Sequence, residues 1–393
     1  MNYAEKELEG CIRFFLENSR HSERTFGMVK DIFPSNDTKS SIAGNGYFFL
    51  SLVLAAKEGL LSQRQAQAMA LEGLSTLEHL ERVQGFYYHF YDVMSGKKKP
   101  ESEVSTIDTA ILFVNLLTCG SFFHGEVEDR VNRLVSQANW PYFLTAHPPF
   151  FQMAIDRNGK IFGLWDHYAE QLMMYVLAAG SPDPAHRVGK EAYETFYRDK
   201  GTYEGLTYIY SWEGSLFTYQ FSQEFIDFRG RKDRFGTDWH ENSRLATEAD
   251  CRYCILHHKE HPTYGEKAFG LTACLCKSGY QGGYGAGLMG EKEIKNDGTV
   301  APCGALGSLP ILPERVRPAL EYYGSLPLLW GPYGFYDAFN LEQSWFATRY
   351  VSIDKGITLA SLANDRDETV WALTNANPII QKGLDALGIE KAR

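Results

Sequence analysis

An all-α fold, a double layer of paired helices closed into a barrel, is what the sequence predicts, on three observations. Six apolar, Gly/Ala-dotted stretches of helical periodicity each open on a cluster of acid, hydroxyl or amide side chains. Each stretch is followed by a second, more ordinary amphipathic helix, the alternation that inner and outer layers require. The chain has 393 residues, more than a single core usually organises unless the architecture is closed. One domain, 1–393, is therefore expected, with no interdomain linker or low-complexity segment.

The pairs follow in order. Ser40-Ser41-Asn45 opens a helix over 40–59, and a capped start at Ser62 gives its partner over 62–80. Glu103-Ser105-Asp108 opens 105–120, followed by 126–137. Asp166-Glu170 opens 166–180, closed by Gly-Ser-Pro and followed by 184–197. Glu213-Ser215 opens 213–227, then 238–257; Asp297-Thr299 opens the weaker 299–309, then 313–323. Ser352-Asp354 opens 352–363, then 367–374, and a leading helix over 4–18 closes the ring. Small residues in the first helix of each pair let backbones crowd around an axis. Helices with their starts level would gather the six polar openings at one mouth, and carboxylates converging on a cavity make a candidate active site. The connections 82–103, 140–165 and 260–298 are longer than connection alone needs. Residues 150–162 alternate about Asn158-Gly159, which predicts a short hairpin.

Composition narrows the function. A formal charge of −10, with no basic tract beyond Lys97-Lys98-Lys99, argues against nucleic acid or an anionic membrane as partner and suits a neutral substrate. Aromatic content of 14% exceeds the needs of a helical core, so some rings should line a binding surface. The apolar runs, such as 47–56, are too short to span a bilayer, and the N-terminal residues show no export signal; a cytoplasmic protein, monomer or homodimer, is expected. Seven cysteines without framework spacing fit buried thiols in a reducing compartment. Cys251-x-x-Cys254 and Cys274-x-Cys276, with His257 and His258, make a loose zinc-ligand list, but the first two lie inside a helical pattern, and neither metal nor cofactor is assigned.

Carboxylates at helix starts are usually caps, and Asp166 reads as one. Glu170 reads as lying inside its helix, among Tyr168, Leu172, Met173 and Met174, where burial would favour its protonated form, as a general acid needs. Asp108 has hydroxyl neighbours that would keep it ionised, and Asp354 stands within Val351-Ser-Ile-Asp-Lys-Gly-Ile357. For each of the three, capping and chemistry weigh about equally on the residues alone. The block Leu329-Trp-Gly-Pro-Tyr-Gly-Phe-Tyr-Asp-Ala-Phe-Asn340 cannot be a regular helix or strand, so Trp330, Tyr333 and Phe335 are expected on an irregular loop, stacking on sugar faces beside Asp337. The Gly-rich run 279–287 lacks the Lys-Ser/Thr of a phosphate loop and reads as a substrate-covering loop.

Four blocks, Ser102-Glu-Val-Ser-Thr-Ile-Asp-Thr-Ala-Ile-Leu112, Gln220-Phe-Ser-Gln-Glu-Phe-Ile-Asp-Phe-Arg-Gly-Arg231, Asn296-Asp-Gly-Thr-Val-Ala-Pro302 and Trp330 to Asn340, resemble the glucoamylase-like domain family, which includes glycoside hydrolase family 144, the bacterial β-1,2-glucanases. Val351 to Ile357 is similar to that family's Gly-Ile-Asp-Gln-Gly block, and the likeness runs from about 24 to 386. The resemblance implies an (α/α)6 barrel with a carbohydrate site at the inner-helix mouth, and hydrolysis or transfer at a β-1,2-glucosidic bond with inversion. It implies Glu170 as the acid, with Asp354 favoured over Asp108 as the base, and Glu103 and Glu213 as substrate-orienting residues. Trp212, Gln220, Arg229 and Trp345 join Trp330, Tyr333, Phe335 and Asp337 as expected oligosaccharide contacts, although Gln220, Arg229 and Arg231 lie toward the far end of their helix from Glu213. The missing export signal departs from the exported members of the family and points to short sophorose-type substrates. A transferase or phosphorolytic enzyme on the same substrates, or a non-catalytic sugar-binding protein, would share these features.

Overall fold

The computed structural model describes residues 2–290 and 294–391; residues 291–293, within the long connection 260–298, lie outside them. Asn2 caps helix α1 (Tyr3–Asn18) through a reciprocal capping box with Glu5. Ser41 starts α2 (Ile42–Lys57), its Oγ accepting from Gly44 N at 3.3 Å, and a second capping box, Ser62 with Gln65, starts α3 (Gln63–His79). Ser105 caps α4 (Thr106–Phe123), and α5 (Gly125–Ser136) follows directly. The later helices are α6 (Leu172–Gly180), α7 (Lys190–Thr195), α8 (Phe217–Phe225), α9 (Trp239–Leu256), α10 (Pro302–Leu306), α11 (Pro313–Gly324), α12 (Ser352–Asp367), α13 (Thr369–Ala376) and α14 (Pro378–Leu387).

The even-numbered helices from α2 to α12 succeed one another in space. α2 packs on α4, α4 on α6, α10 on α12, and α12 returns to α2. Ser222 Oγ on α8 donates to Glu170 O at 2.7 Å and accepts from Met173 N at 3.0 Å, joining α8 to α6. Gln220 Nε2 donates to Gly304 O and to Ser308 Oγ, both at 2.7 Å, joining α8 to α10. Every residue of α2 from Ile42 to Ala55 is buried, as a helix covered on all sides demands. Each fully buried Leu or Phe there is worth roughly 1.5–3 kcal/mol relative to exposure. α4 has the length and hydropathy of a membrane span, but 83% of it is buried within the protein, where it packs on α2, α5 and α6.

Four odd-numbered helices lie on the outer side: α3 against α2, α5 against α4, α9 against α8, α11 against α10. Two assignments differ from the sequence reading. α14, which it leaves out, is the main outer partner of α6, because Gly180 and Gly383 let the two backbones meet: a Cβ on either would lie 2.0 Å from a carbonyl oxygen of the other helix. α7, expected there over 184–197, is only six residues long. α1 covers α12, whereas α13 turns inward, since Glu368 takes a left-handed conformation (φ 57°) that ends α12 and sends the chain across the ring. There α13 meets α4, α8 and α12, with Trp371 Nε1 donating to Gln223 O at 2.6 Å, and closes the C-terminal end of the inner helices.

Strands are short and, among the described residues, form only two- and three-stranded sheets. Several of them lead directly into the starts of the inner helices. Lys39–Ser41 pairs with Phe90–Asp92, Ile32–Phe33 with Tyr350–Val351, and Val104–Ser105 with Gln152–Ile155. The last is extended by Ile161–Leu164 through the expected turn at Asn158-Gly159.

Candidate active site at the N-terminal ends of the inner helices

Backbone pairing brings the helix entries level. Ile42 N, at the start of α2, donates to His89 O, and His89 N donates to Glu103 O ahead of α4, at 2.9 and 2.8 Å. Asp31 N donates to Lys39 O before α2, while Ser352 N of α12 donates to Asp31 O, at 2.9 and 2.8 Å. Trp165 Nε1 donates to Thr106 Oγ1 at 3.1 Å, tying the approach to α6 to the first residue of α4. The Trp165 ring stacks on Trp212, which leads to α8, with centroids 5.4 Å apart.

Asp108 occupies the first turn of α4. Ser105 Oγ donates to its Oδ2 at 2.5 Å and accepts from its N–H at 3.3 Å. His89 stands between two carboxylates: Nδ1 is 2.8 Å from Glu103 Oε1, and Nε2 is 3.6 Å from Asp108 Oδ1. Burial disfavours the charged ring, but Asp108, Glu103 and Asp31 outweigh it and raise His89 to about 9. Burial works to raise Glu103, and the bond and charge of His89 overcome it, leaving this carboxyl below its ordinary range. Burial lifts Asp31 to about 6, with His89 pulling down and Asp108 pushing up.

Asp354, in the first turn of α12, lies beside Asp337. Both line one cleft of about 10 Å³. Asp337 Oδ2 accepts from Leu275 N at 2.6 Å, whereas Asp337 Oδ1 and Asp354 Oδ2 are buried without a hydrogen-bond donor. Burial, then the charge of Asp337, raises Asp354 well above the usual carboxylate range. Burial also raises Asp337, against the pull of the Asp354 hydrogen bond, two backbone N–H groups and Arg349. A larger cavity, about 420 Å³, opens alongside and is lined by Asp31, Ser41, His89, Tyr280, Arg349 and Val351 among others.

Glu170 is buried at the entry to α6 but not inside the helix: it occupies the turn before Leu172, the first helical residue, one position ahead of the N-cap Gln171. Glu213, likewise, lies in a turn ahead of α8, whose first helical residue is Phe217. The two thus share the mouth end without being helical. Asp297 holds Thr299 N at 3.0 Å, and Ser40 Oγ donates to Asn45 Oδ1 at 2.9 Å, so these two openings are structural.

Other expected contacts lie elsewhere. Gln220 is fully buried, its amide engaged in joining α8 to α10. Arg229 sits at the opposite end of the ring, paired with Asp227 and Glu368 at 2.8 Å each and over the Trp371 ring; Arg231 bonds Asp227 O there. Trp330 and Phe335 belong to a tight hairpin, Trp330–Gly331 with Gly334–Phe335, packed on α1, so the block is not irregular throughout. In that packing Trp330 meets Tyr3, and Tyr333 meets Phe14 while its Oη donates to Glu17 at 3.1 Å; of the block's expected sugar contacts only Asp337 reaches the carboxylate cluster. Trp345 is half-buried on the pair Phe339–Asn340 with Trp345–Phe346. Among the described residues no group of three or more His, Cys, Asp or Glu could hold a metal ion, and Cys251 and Cys254 are buried thiols on α9. Sequence reasoning missed Asp31, His89, Tyr280 and Arg349. Only the unusual length of 82–103 pointed toward His89, and the Gly-rich run toward Tyr280.

Residues 164–378 match the Glycoamylase family model, described as "Putative glucoamylase". The chain belongs to the Glycoamylase family. The chain is similar to the exo β-1,2-glucooligosaccharide sophorohydrolase (non-reducing end) of Parabacteroides distasonis, 25% identical over 428 aligned positions that cover 96% of this chain. The chain spans 57% of the length of that curated relative. The endo-β-1,2-glucanase of Chitinophaga pinensis, solved with sophorotriose and glucose, superposes with a TM-score of 0.88 at 25% identity, covering 99% of each chain. The β-1,2-glucanase of Parabacteroides distasonis superposes with a TM-score of 0.85 at 23% identity, over 98% of this chain and 60% of that one, a likeness of fold.

Proposed function

We propose that this Glycoamylase-family chain is a glycoside hydrolase that cleaves β-1,2-linked glucooligosaccharides at the mouth of an (α/α)6 barrel, by an inverting acid/base mechanism. Two relatives of 25% identity support the substrate class: one named for β-1,2-glucooligosaccharides, the other a β-1,2-glucanase solved with sophorotriose. The closed succession of α2, α4, α6, α8, α10 and α12, each with outer helices behind it, supports the barrel.

The observation that carries the mechanism is the placement of Glu170 and Asp354. They stand at the same end of the inner helices, at the entries to α6 and α12, three helices apart in the order of the ring. Inversion requires an acid on the leaving-group side and a base on the other, with room for water between. In this reading Glu170 protonates the leaving glycosidic oxygen and Asp354 takes the proton of the attacking water. Asp108 and Glu103, held by His89, accept hydrogen bonds from sugar hydroxyls, and the half-exposed Tyr280 ring at the cavity edge offers a stacking face.

Chromatography of products from β-1,2-glucooligosaccharides and from maltooligosaccharides, with and without phosphate, tests the reading. Cleavage of the β-1,2 series without phosphate is expected; cleavage confined to the α-linked series, or dependent on phosphate, would overturn it.

A further inference from the structure

The mouth holds two buried carboxyl groups in contact where one would suffice as a base. Asp337 Oδ1 and Asp354 Oδ2 each lack a donor, both are buried, and both line the same small cleft. Two adjacent ionised carboxylates need a cation or a proton between them. Lys355, the next residue of α12, is already engaged, its Nζ bonded to Glu7 Oε1 at 2.5 Å and to Tyr333 O at 2.7 Å. The cation that acts on Asp337 is Arg349, whose own backbone carbonyl accepts from Asp337 N at 3.1 Å. The other titratable groups around the pair are Asp31, Tyr47, Tyr280, Cys274 and Cys303, none of which brings positive charge.

We propose that Asp337 and Asp354 act as one base holding a single proton between them, with Asp354 toward the water and Asp337 as the positioning residue that sets its proton affinity. The inference rests on the hydrolytic reading above. At rest Asp354 O–H donates to the Asp337 carboxylate, and the pair carries one negative charge. During attack that proton passes to Asp337, breaking the Asp354 O–H bond and forming one on Asp337. Asp354 takes a proton from the water as the water oxygen bonds the anomeric carbon and the glycosidic C–O bond breaks. Glu170 gives its proton to the leaving oxygen. The pair ends neutral and Glu170 ionised, so net transfer of one proton from the pair to Glu170 restores the resting state. A shared proton brings the base nearer neutral pH than an ordinary carboxylate, where proton transfer is most effective. Paired carboxyls of this kind titrate as a unit.

Asp337→Asn is the informative variant, because the amide N–H donates to Asp354 and stabilises its ionised form. The acidic limb of the kcat profile on β-1,2-glucooligosaccharides should move down by about one pH unit, with kcat at neutral pH falling about tenfold and KM within about twofold. A merely structural Asp337 would lower melting temperature and leave the limb in place, which would overturn the proposal. Infrared difference spectra read the pair without activity. A protonated-carboxyl band at neutral pH should be lost in both Asp337→Asn and Asp354→Asn, read against the constant contribution of Glu170 and of Glu224 and Asp250, two other carboxyls whose proton affinity burial raises. No difference band in a protein that still cleaves β-1,2 linkages would refute the pair and leave the function standing. The band without cleavage would refute the function and leave the pair. If Asp337→Asn does not fold, Asp354→Asn alone decides the infrared result.

Discussion

The two ends of the inner helices treat the same side chains in opposite ways. At the C-terminal end every carboxylate discussed above has a cation: Asp227 and Glu368 share Arg229, and Asp367 meets Lys57 at 3.1 Å. At the N-terminal end Glu103 and Asp108 share His89, but Asp31, Asp337 and Asp354 are raised, burial outweighing the opposing charges of His89 on Asp31 and of Arg349 on Asp337. Helix dipoles account for part of the contrast. The C-terminal ends are negative, so acids there need cations; the N-terminal ends are positive and tolerate anions. In the proposed function the rest is a difference of task. A carboxylate locked to Arg is a poor proton carrier, whereas one with raised proton affinity can exchange protons near neutral pH.

Substitutions at the two ends should therefore have different consequences. The largest effect belongs to Glu170→Gln, expected to lower kcat about a thousandfold with melting temperature nearly unchanged; steady-state kinetics beside a thermal melt checks it. Next, His89→Gln removes the cation between Asp108 and Glu103, and kcat/KM should fall about tenfold, in line with loss of charged hydrogen bonds. His89 also links stability to pH. Its folded value is about 9 against an ordinary 6.5, so its stabilisation is full below 6.5 and is lost as pH rises through 9. Melts across that window should fall more steeply for the wild type than for His89→Gln. Gln220→Ala, which leaves Gly304 O and Ser308 short of a donor, should cost about 1–3 kcal/mol in denaturant titrations while KM holds. Arg229→Ala is the smallest: its partly exposed pairs are screened by solvent, so a loss of about 1 kcal/mol or less, shrinking with salt, and unchanged kcat are expected.

What could be read from the sequence follows the same division. Asp108 and Asp354 stood out because helical periodicity places a charge within an otherwise apolar run. Glu170 reads in the sequence as a mid-helix acid, whereas it lies in the turn before α6, because helical periodicity does not mark where the helix begins. His89 and Asp31 stayed hidden because they sit on extended segments without periodicity and reach the mouth only through pairing with residues far along the chain. Gln220 and Arg229 were credited to the site because a linear block shows neither which direction buries Gln220 nor which end of the ring Arg229 reaches. α14 went unread although its Asn377-Pro378 start is a good cap signal, since its role depends on two glycines about two hundred residues apart, Gly180 and Gly383. The hairpin at Asn158-Gly159 was legible because turn chemistry is local.

Whether the carboxylates of the mouth act as an acid and a water-activating base on opposite sides of a β-1,2-glucosidic bond shows in the anomer first released from sophorotriose, followed by proton NMR before mutarotation. Inversion releases the α-anomer, the expected outcome; release of the β-anomer, or no turnover, rules the proposed mechanism out.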